Sequence, residues 1–487
     1  VVSANLLSIF ITVLGASFSI QGVNRAEFWT YQQEWATHYE DKLELVGRYG
    51  DFNAELGVLM FEPSKHGPSI RKPLRLFDYS IGYNPRDLEV RLGRFYTTFG
   101  QGLTLSSGAD DDFRHYKSLQ GLLGRLNLPF SSELTLLGAR LRDVFFQENT
   151  YKIMNELDTT DQLLGADLTT RPVQFLGIGG RYVRINREVD PTPRAFTELF
   201  GGNCQLNFGP ISTGAEIAWR LGTKPGIGGR EKGVGYIINL SATFAGFSVL
   251  GQVVDYTRLG FPAGVYHYND PPTPIKSGVA INRGVDERGF GIQVSGMPLN
   301  GLYLEANLDR LFVHDDTSAG VVEAEVKGRY SLATSWTLEL KFNHLFQKNI
   351  ELGTYQRSAD RPAILINYLI GQHTFALEAE LGWITELPTD TTHITRWRYH
   401  EPLISFSYGP GEKWLFTLGW QGVDQDSLKR YDYQTSWPVL EAVYNISERN
   451  VLRIRIGAEK GGYTCSGGVC RYESPFRGVK LQLISRI

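Results

Sequence analysis

The sequence predicts an all-β chain, a transmembrane antiparallel up-and-down β-barrel of about 24 strands, with 22 to 26 acceptable. Three observations predict it. Apolar and polar residues alternate along nearly the whole chain, as strands with two unlike faces require. The connections alternate between short turns and longer polar loops, which is the rhythm of a membrane barrel. No internal stretch approaches the roughly 18 apolar residues that a membrane helix needs.

The clearest hairpin runs from Gly320 to Gln347. Val322, Ala324, Val326, Gly328 and Tyr330 alternate with Glu323, Glu325, Lys327 and Arg329. A turn at Ser331 to Ser335 follows. Trp336, Leu338, Leu340 and Phe342 then alternate with Thr337, Glu339, Lys341 and Asn343. One face is apolar and carries an aromatic residue at its turn end. The other face is charged. A soluble sandwich shows the same alternation in a single hairpin; its recurrence along the chain favours the barrel.

The 487 residues carry a net charge of -3, too balanced to suggest a nucleic-acid partner. Leu6 to Ile20 is an apolar run of signal-peptide size, with small residues at Ser17 and Ser19. Residues 1–19 are therefore expected to be a signal peptide and 20–487 a single barrel domain. No Lys or Arg precedes the run, so a buried helix or a membrane anchor is the alternative. Cys465 and Cys470 flank Ser-Gly-Gly-Val in a loop. They form either a disulfide closing that loop or two free thiols. Cys204 alternates with Phe200, Gly202, Leu206 and Phe208 and is expected to face lipid.

Taken in order, the first strand is expected at Asn24 to Gln32. The next pair runs from Lys42 to Glu62 around a turn at Gly50 to Asn53. Further short turns are expected near Asn84 to Arg86, Phe130 to Ser132, Arg171-Pro172, Gly209-Pro210, Ala245-Gly246 and Leu299-Asn300. The rest lie near Ala333-Thr334, Gly371-Gln372, Pro410-Gly411 and Ser447 to Arg449. The last strand is Phe476 to Ile487, ending in Ile rather than the usual terminal Phe of such barrels. No run before the first strand is long enough for a separate plug domain, so none is expected.

Outward faces include Tyr236, Ile238, Leu240, Ala242 and Phe244, and Trp414, Phe416, Leu418 and Trp420. Tryptophan prefers membrane–water interfaces, with its ring buried and its polar tip wet. Trp336 and Trp414 follow short turns and are expected at the periplasmic girdle. Trp383 and Trp420 precede long loops and are expected at the outer girdle.

Inward faces carry both signs of charge. Glu305, Asp309, Glu323, Glu325, Glu339, Glu378 and Glu380 come from the middle and later strands, with Lys327, Arg329 and Lys341 among them. Arg453, Arg455 and Lys480 come from the end, and Arg48 and Arg91 from the start. These charges make either a transverse field across the lumen or cross-strand ion-pair ladders.

Two loops stand out. Leu259 to Glu287 carries Phe261-Pro262, Tyr266, His267, Tyr268 and Pro271-Pro272-Thr273-Pro274, a composition that suits either folding over or into a pore or a mobile surface loop. Phe99 to Lys117 is glycine-rich and contains Asp110, Asp111, Asp112 and His115. These are either oxygen-rich Ca²⁺ ligands or a solvated acidic turn, and the spacing lacks EF-hand order. Nine histidines occur without a metal-ligand pair, and no G-x-S-x-G or haem attachment motif is present. An enzyme is not expected, nor any cofactor.

The whole pattern resembles the large outer-membrane β-barrels of Gram-negative bacteria. Gly93-Arg94-Phe95-Tyr96 to Phe99-Gly100-Gln101-Gly102-Leu103 further resembles an early motif of an uncharacterised porin-like barrel family. The resemblance implies an outer-membrane location. It also implies outer-membrane lipid and the barrel-assembly machinery as partners. The expected function is a wide, unplugged channel passing polar solutes or ions passively. The alternative is a docking barrel holding a lumenal or periplasmic protein partner, as in a secretion or electron-conduit complex.

Overall fold

A membrane-spanning sheet must satisfy every backbone N–H and C=O internally, which a closed ring does. The computed structural model describes residues 12–13, 16–31, 36–63, 74–110, 115–145, 155–187, 195–224, 228–260, 268–274, 285–314, 319–332, 335–348, 354–388, 396–424, 435–460, 462–466, 469–473 and 476–486. Among them, 24 antiparallel strands close into one barrel.

The first quarter comprises β1 (Ala16–Tyr31), β2 (Ala36–Tyr49), β3 (Phe52–Pro63), β4 (Leu74–Tyr83), β5 (Leu88–Phe95) and β6 (His115–Leu128). Then come β7 (Ser132–Phe145), β8 (Asn155–Val173), β9 (Leu176–Asn186), β10 (Phe196–Phe208), β11 (Ile211–Thr223) and β12 (Arg230–Phe244). The third quarter holds β13 (Phe247–Thr257), β14 (Asp286–Leu299), β15 (Leu302–Val313), β16 (Gly320–Ser331), β17 (Trp336–Lys348) and β18 (Thr354–Ile370). The chain ends with β19 (His373–Pro388), β20 (Trp397–Pro410), β21 (Trp414–Gly422), β22 (Ser436–Ser447), β23 (Asn450–Glu459) and β24 (Phe476–Arg486). Each strand pairs with the next in the chain. Strand β24 pairs with β1 from Val23↔Arg486 to Trp29↔Lys480 and closes the ring.

Strand β2 begins at Ala36, ahead of the expected Lys42, and two further boundaries also differ from the sequence expectation. Strand β1 begins at Ala16, with Phe18 opposite Tyr49 and Ser19 opposite Arg48. Residues 16–19 thus continue an alternating strand that extends past the closing contact, and loss of residues up to Ser19 would leave that contact whole. The turn after β8 is at Gln174-Phe175, not Arg171-Pro172. Pro172 has no N–H for the ladder and falls in the register shift between Thr170 and Val173, where none is needed.

The outward face is an apolar band. Ile81, Leu92, Leu136, Leu164, Ile238, Leu340, Phe406 and Leu418 are all exposed on it. Near the short-turn end, Trp336, Tyr368, Phe375 and Tyr408 form a continuous row of rings with centroids 4.2, 6.2 and 5.1 Å apart. Trp414 stacks on Tyr444 at 4.3 Å.

Candidate functional site in the lumen

Gly93 to Leu103, singled out in the sequence, builds a hairpin that leaves the wall and enters the lumen. Thr98–Phe99 pairs with Leu105–Ser106. Ser107 clamps the base: its Oγ accepts from the Thr97 N–H at 2.7 Å and donates to the Thr97 carbonyl at 2.9 Å. At the tip, Gly100 (φ 58°) and Gly102 (φ 93°) adopt left-handed conformations that side chains disfavour. A Cβ on Gly102 would stand 2.8 Å from the Asp270 carbonyl oxygen.

The tip is anchored on the inner wall of β8, β9 and β11. Arg181 is fully buried and pairs with Asp167 at 3.1 Å and Glu216 at 2.7 Å. The Gln101 N–H donates to Glu216 Oε2 at 2.8 Å, and Asn239 Nδ2 donates to Gln101 Oε1 at 2.6 Å. Glycines in the wall make room: a Cβ on Gly165 would meet the Phe99 ring at 2.9 Å, and one on Gly201 would meet Thr104 Cγ2 at 2.7 Å.

A second segment from the β13–β14 loop locks the hairpin. The Tyr268 carbonyl accepts from Ser106 N–H, and the Gly102 carbonyl accepts from Asp270 N–H, at 2.9 and 3.1 Å. Asn269 Nδ2 donates to the Leu103 and Leu259 carbonyls. The Tyr268 hydroxyl donates to Asp161, and the Tyr256 hydroxyl donates to the Pro272 carbonyl at 2.8 Å. These contacts join strands far apart in the chain through the charged face, which makes that face the inside of the ring.

Phe99, Leu103 and Leu105 are buried in one cluster with inward residues of β6 to β16, among them Leu137, Leu163, Val183, Leu199, Ile237 and Leu311. Burying each such side chain contributes about 1.5–3 kcal/mol. The expected wide, unplugged lumen is thus corrected: residues 97–107 and 268–274 occupy part of it. The inward apolar residues cannot face water without cost, and the chain supplies its own cover.

The charged residues expected to line the lumen lie on the inward side, mostly as cross-strand ladders. Lys327 pairs with Glu305 at 3.1 Å, Lys341 with Glu325 at 2.9 Å and Arg329 with Glu339 at 2.8 Å. Asn343 Nδ2 donates to Glu323 at 3.2 Å. Arg361 joins Glu380 and Glu401 at 2.8 and 2.6 Å, and Ser405 lies 3.5 Å from Glu378. Arg455 Nε donates to Glu441 at 2.7 Å, with Arg453 3.8 Å from the same carboxylate. Arg91 pairs with Glu55 and Glu89, Lys480 lies over the Trp29 ring and Arg48 is exposed. Asp309 lies beside the inserted segments, lining the cavity beneath them with Pro274. Cross-strand pairing engages most of these charges, Arg48 and Lys480 at the seam excepted.

Trp336, Trp383, Trp414 and Trp420 stand on the outward face and are all exposed. The backbone sets Cys465 directly opposite Cys470 in a small hairpin, Gly462–Ser466 with Val469–Glu473. Their side chains lie outside the described residues, as do Asp111 and Asp112 and the side chains of Asp110 and His115. Cys204 is exposed.

Beneath the insert lies a cavity of 630 Å³ lined by Gln101, Asn203, Gln205, Asn239, Gln252, Gln293 and Asn307 with Glu216 and Asp309. Sequence reading anticipated that the Leu259 to Glu287 loop could enter the pore, as residues 268–274 do, but it missed the 97–107 hairpin and this cavity. A signal existed in neighbouring apolar pairs that break the alternation: Leu122-Leu123, Leu136-Leu137, Leu163-Leu164, Ile237-Ile238 and Val253-Val254. In each pair one residue is exposed outward and the other buried inward.

Comparison with known proteins agrees with this architecture. No protein-family model matches the sequence, and no curated protein matches it significantly. The translocation pore of the P pilus usher PapC superposes with a TM-score of 0.51 at 7% identity, covering 96% of this chain and 99% of that one. PapC in an E. coli P pilus tip assembly intermediate with PapD, PapK and PapG gives 0.55 at 10% identity, covering 96% and 60%. Pseudomonas aeruginosa OccK5 gives 0.42 at 9% identity, covering 72% and 96%. The chain has the fold of the bacterial outer-membrane β-barrels.

Proposed function

We propose that the protein is an outer-membrane conduit through which polar solutes or ions pass passively, narrowed by its own insert and performing no chemistry. The carrying observation is an inner wall of charged ladders and carboxamides around a cavity that the insert only partly covers. A barrel of more than about 16 strands has room for an aqueous lumen beside such an insert. The aromatic rows suit a lipid boundary, and the barrel shape implies the usual assembly machinery. The family sharing the Gly93–Leu103 motif is part of the same proposal.

The test is single-channel conductance of the detergent-refolded protein in a planar bilayer, beside a variant lacking Pro262 to Arg283. Stable steps are expected in both, larger in the variant, because the segment locking the insert is gone. Silence from protein with a heat-modifiable gel shift would sink the conduit reading. A stoichiometric co-purifying protein would then favour the docking barrel.

A further inference from the structure

We infer that the cavity beneath the insert is a binding site for an uncharged, polyhydroxylated solute, a sugar or short oligosaccharide. This rests on the conduit reading and names its solute class.

The lining argues for it. A carboxamide offers two donors and an acceptor with two lone pairs, and a sugar's vicinal hydroxyls present donors and acceptors in the same alternation. Gln101, Asn203, Gln205, Asn239, Gln252 and Asn307 converge on the cavity from the insert and four strands. Asn239 already sits in a relay, accepting from Gln252 Nε2 at 3.0 Å and donating to Gln101 at 2.6 Å. Asn307 is buried, and its Nδ2 donates to Glu305 at 3.0 Å. Its Oδ1 is a buried acceptor without a hydrogen-bond partner among the described residues, next to the cavity wall.

Charge argues against ionic solutes. The cation at the rim, Arg181, is held by Asp167 and Glu216, and its Nη2 reaches Asn203 Oδ1 at 2.5 Å. An anion would meet Asp309 and Glu216, and among the described lining residues there is no Lys or Arg to compensate. A cation gains little from Glu216, which Arg181 already engages, and is left with Asp309 alone among the described carboxylates of the lining. The 630 Å³ volume falls in the range, about 300–1,000 Å³, of small-molecule sites. A site built to hydrogen-bond hydroxyls rejects solutes that lack them.

The test pairs binding with conduction. Maltose, succinate and putrescine are titrated into the detergent-folded protein by calorimetry, and each is added to the bilayer during current recording. Saturable maltose binding is expected, with brief interruptions of the ion current over the same concentration range. Gln205→Met and Gln252→Met keep the volume but remove the carboxamide, and each is expected to weaken maltose about tenfold. A heat-modifiable gel shift confirms that both variants fold. Ion steps without maltose binding, or tighter binding of succinate or putrescine, would overturn the site and leave the conduit standing. Maltose binding without ion steps would support the site and overturn the conduit.

Discussion

At the scale of single residues, the lumen is organised by Gly100 and Arg181. Gly100 has φ 58°, and a Cβ there would point into the guanidinium of Arg181 and the carboxylate of Glu216. Gly100→Ala therefore carries about 1–2 kcal/mol of backbone cost and must also displace the ion pair. The expected outcome is a lower midpoint in guanidinium unfolding together with larger conductance steps. Wild-type values in both would show that the tip does not sit on Arg181. The pair itself is buried, with side-chain exposures of 0% for Arg181 and 1% for Glu216. Arg181→Met leaves two carboxylates without their cation and is expected to cost about 3–5 kcal/mol. Adding Glu216→Gln should restore part of the loss, since a buried charge is then removed as well. A double-mutant cycle on unfolding free energies measures this, and a cost below about 1 kcal/mol for Arg181→Met would refute it.

At the scale of elements, each strand had a readable face and the lumen hairpin did not. Alternation specifies which side chains point out, because a strand's period is two. It therefore gave the hairpin from Gly320 to Gln347 and the tryptophan positions directly. The insert rests on contacts between residues more than a hundred positions apart, such as Gln101 with Glu216, and no local pattern encodes such a distance. Only the apolar pairs in β6 to β13 hinted that both faces of that wall are covered. A smaller element shows how an outer segment is tethered. Asp424, just past β21, accepts the His400 N–H at 2.8 Å and pairs with the imidazole Nδ1 at 2.5 Å. Partial burial pushes its carboxyl up, but these bonds from His400 outweigh that and hold it below the usual carboxylate value. A depressed carboxylate stabilises the fold above its unfolded pKa and loses that contribution as pH falls through the folded one. The tether is thus complete at neutral pH and lost in acid below the ordinary carboxylate range. The protection factor of the His400 amide should hold at neutral pH and fall as pH is lowered below the ordinary carboxylate range. Asp424→Asn should flatten that difference, and an unchanged wild-type protection factor would rule the tether out.

At the scale of the whole molecule, one contact makes the ring. Strands β24 and β1 share seven residue pairs from Val23↔Arg486 to Trp29↔Lys480. Without them two strand edges would face lipid with unpaired backbone groups, at several kcal/mol each. A chain ending before Phe476 is expected to give no heat-modifiable band and no conductance, whereas a compact, current-carrying form would show that β23 can close on β1 instead. That closure lies across the ring from the strands that back the insert, and this has a consequence for the order of construction. Residues 97–107 and 268–274 precede the last eleven strands in the chain. The dry half can therefore be laminated while the sheet is still open, like a keel laid before the hull is planked. The half that shuts last carries ion-pair rungs together with a smaller buried cluster around Ile384, Tyr399 and Trp437. A barrel stalled before closure would keep the packing of its insert and leave the smaller cluster around Trp437 to be buried last.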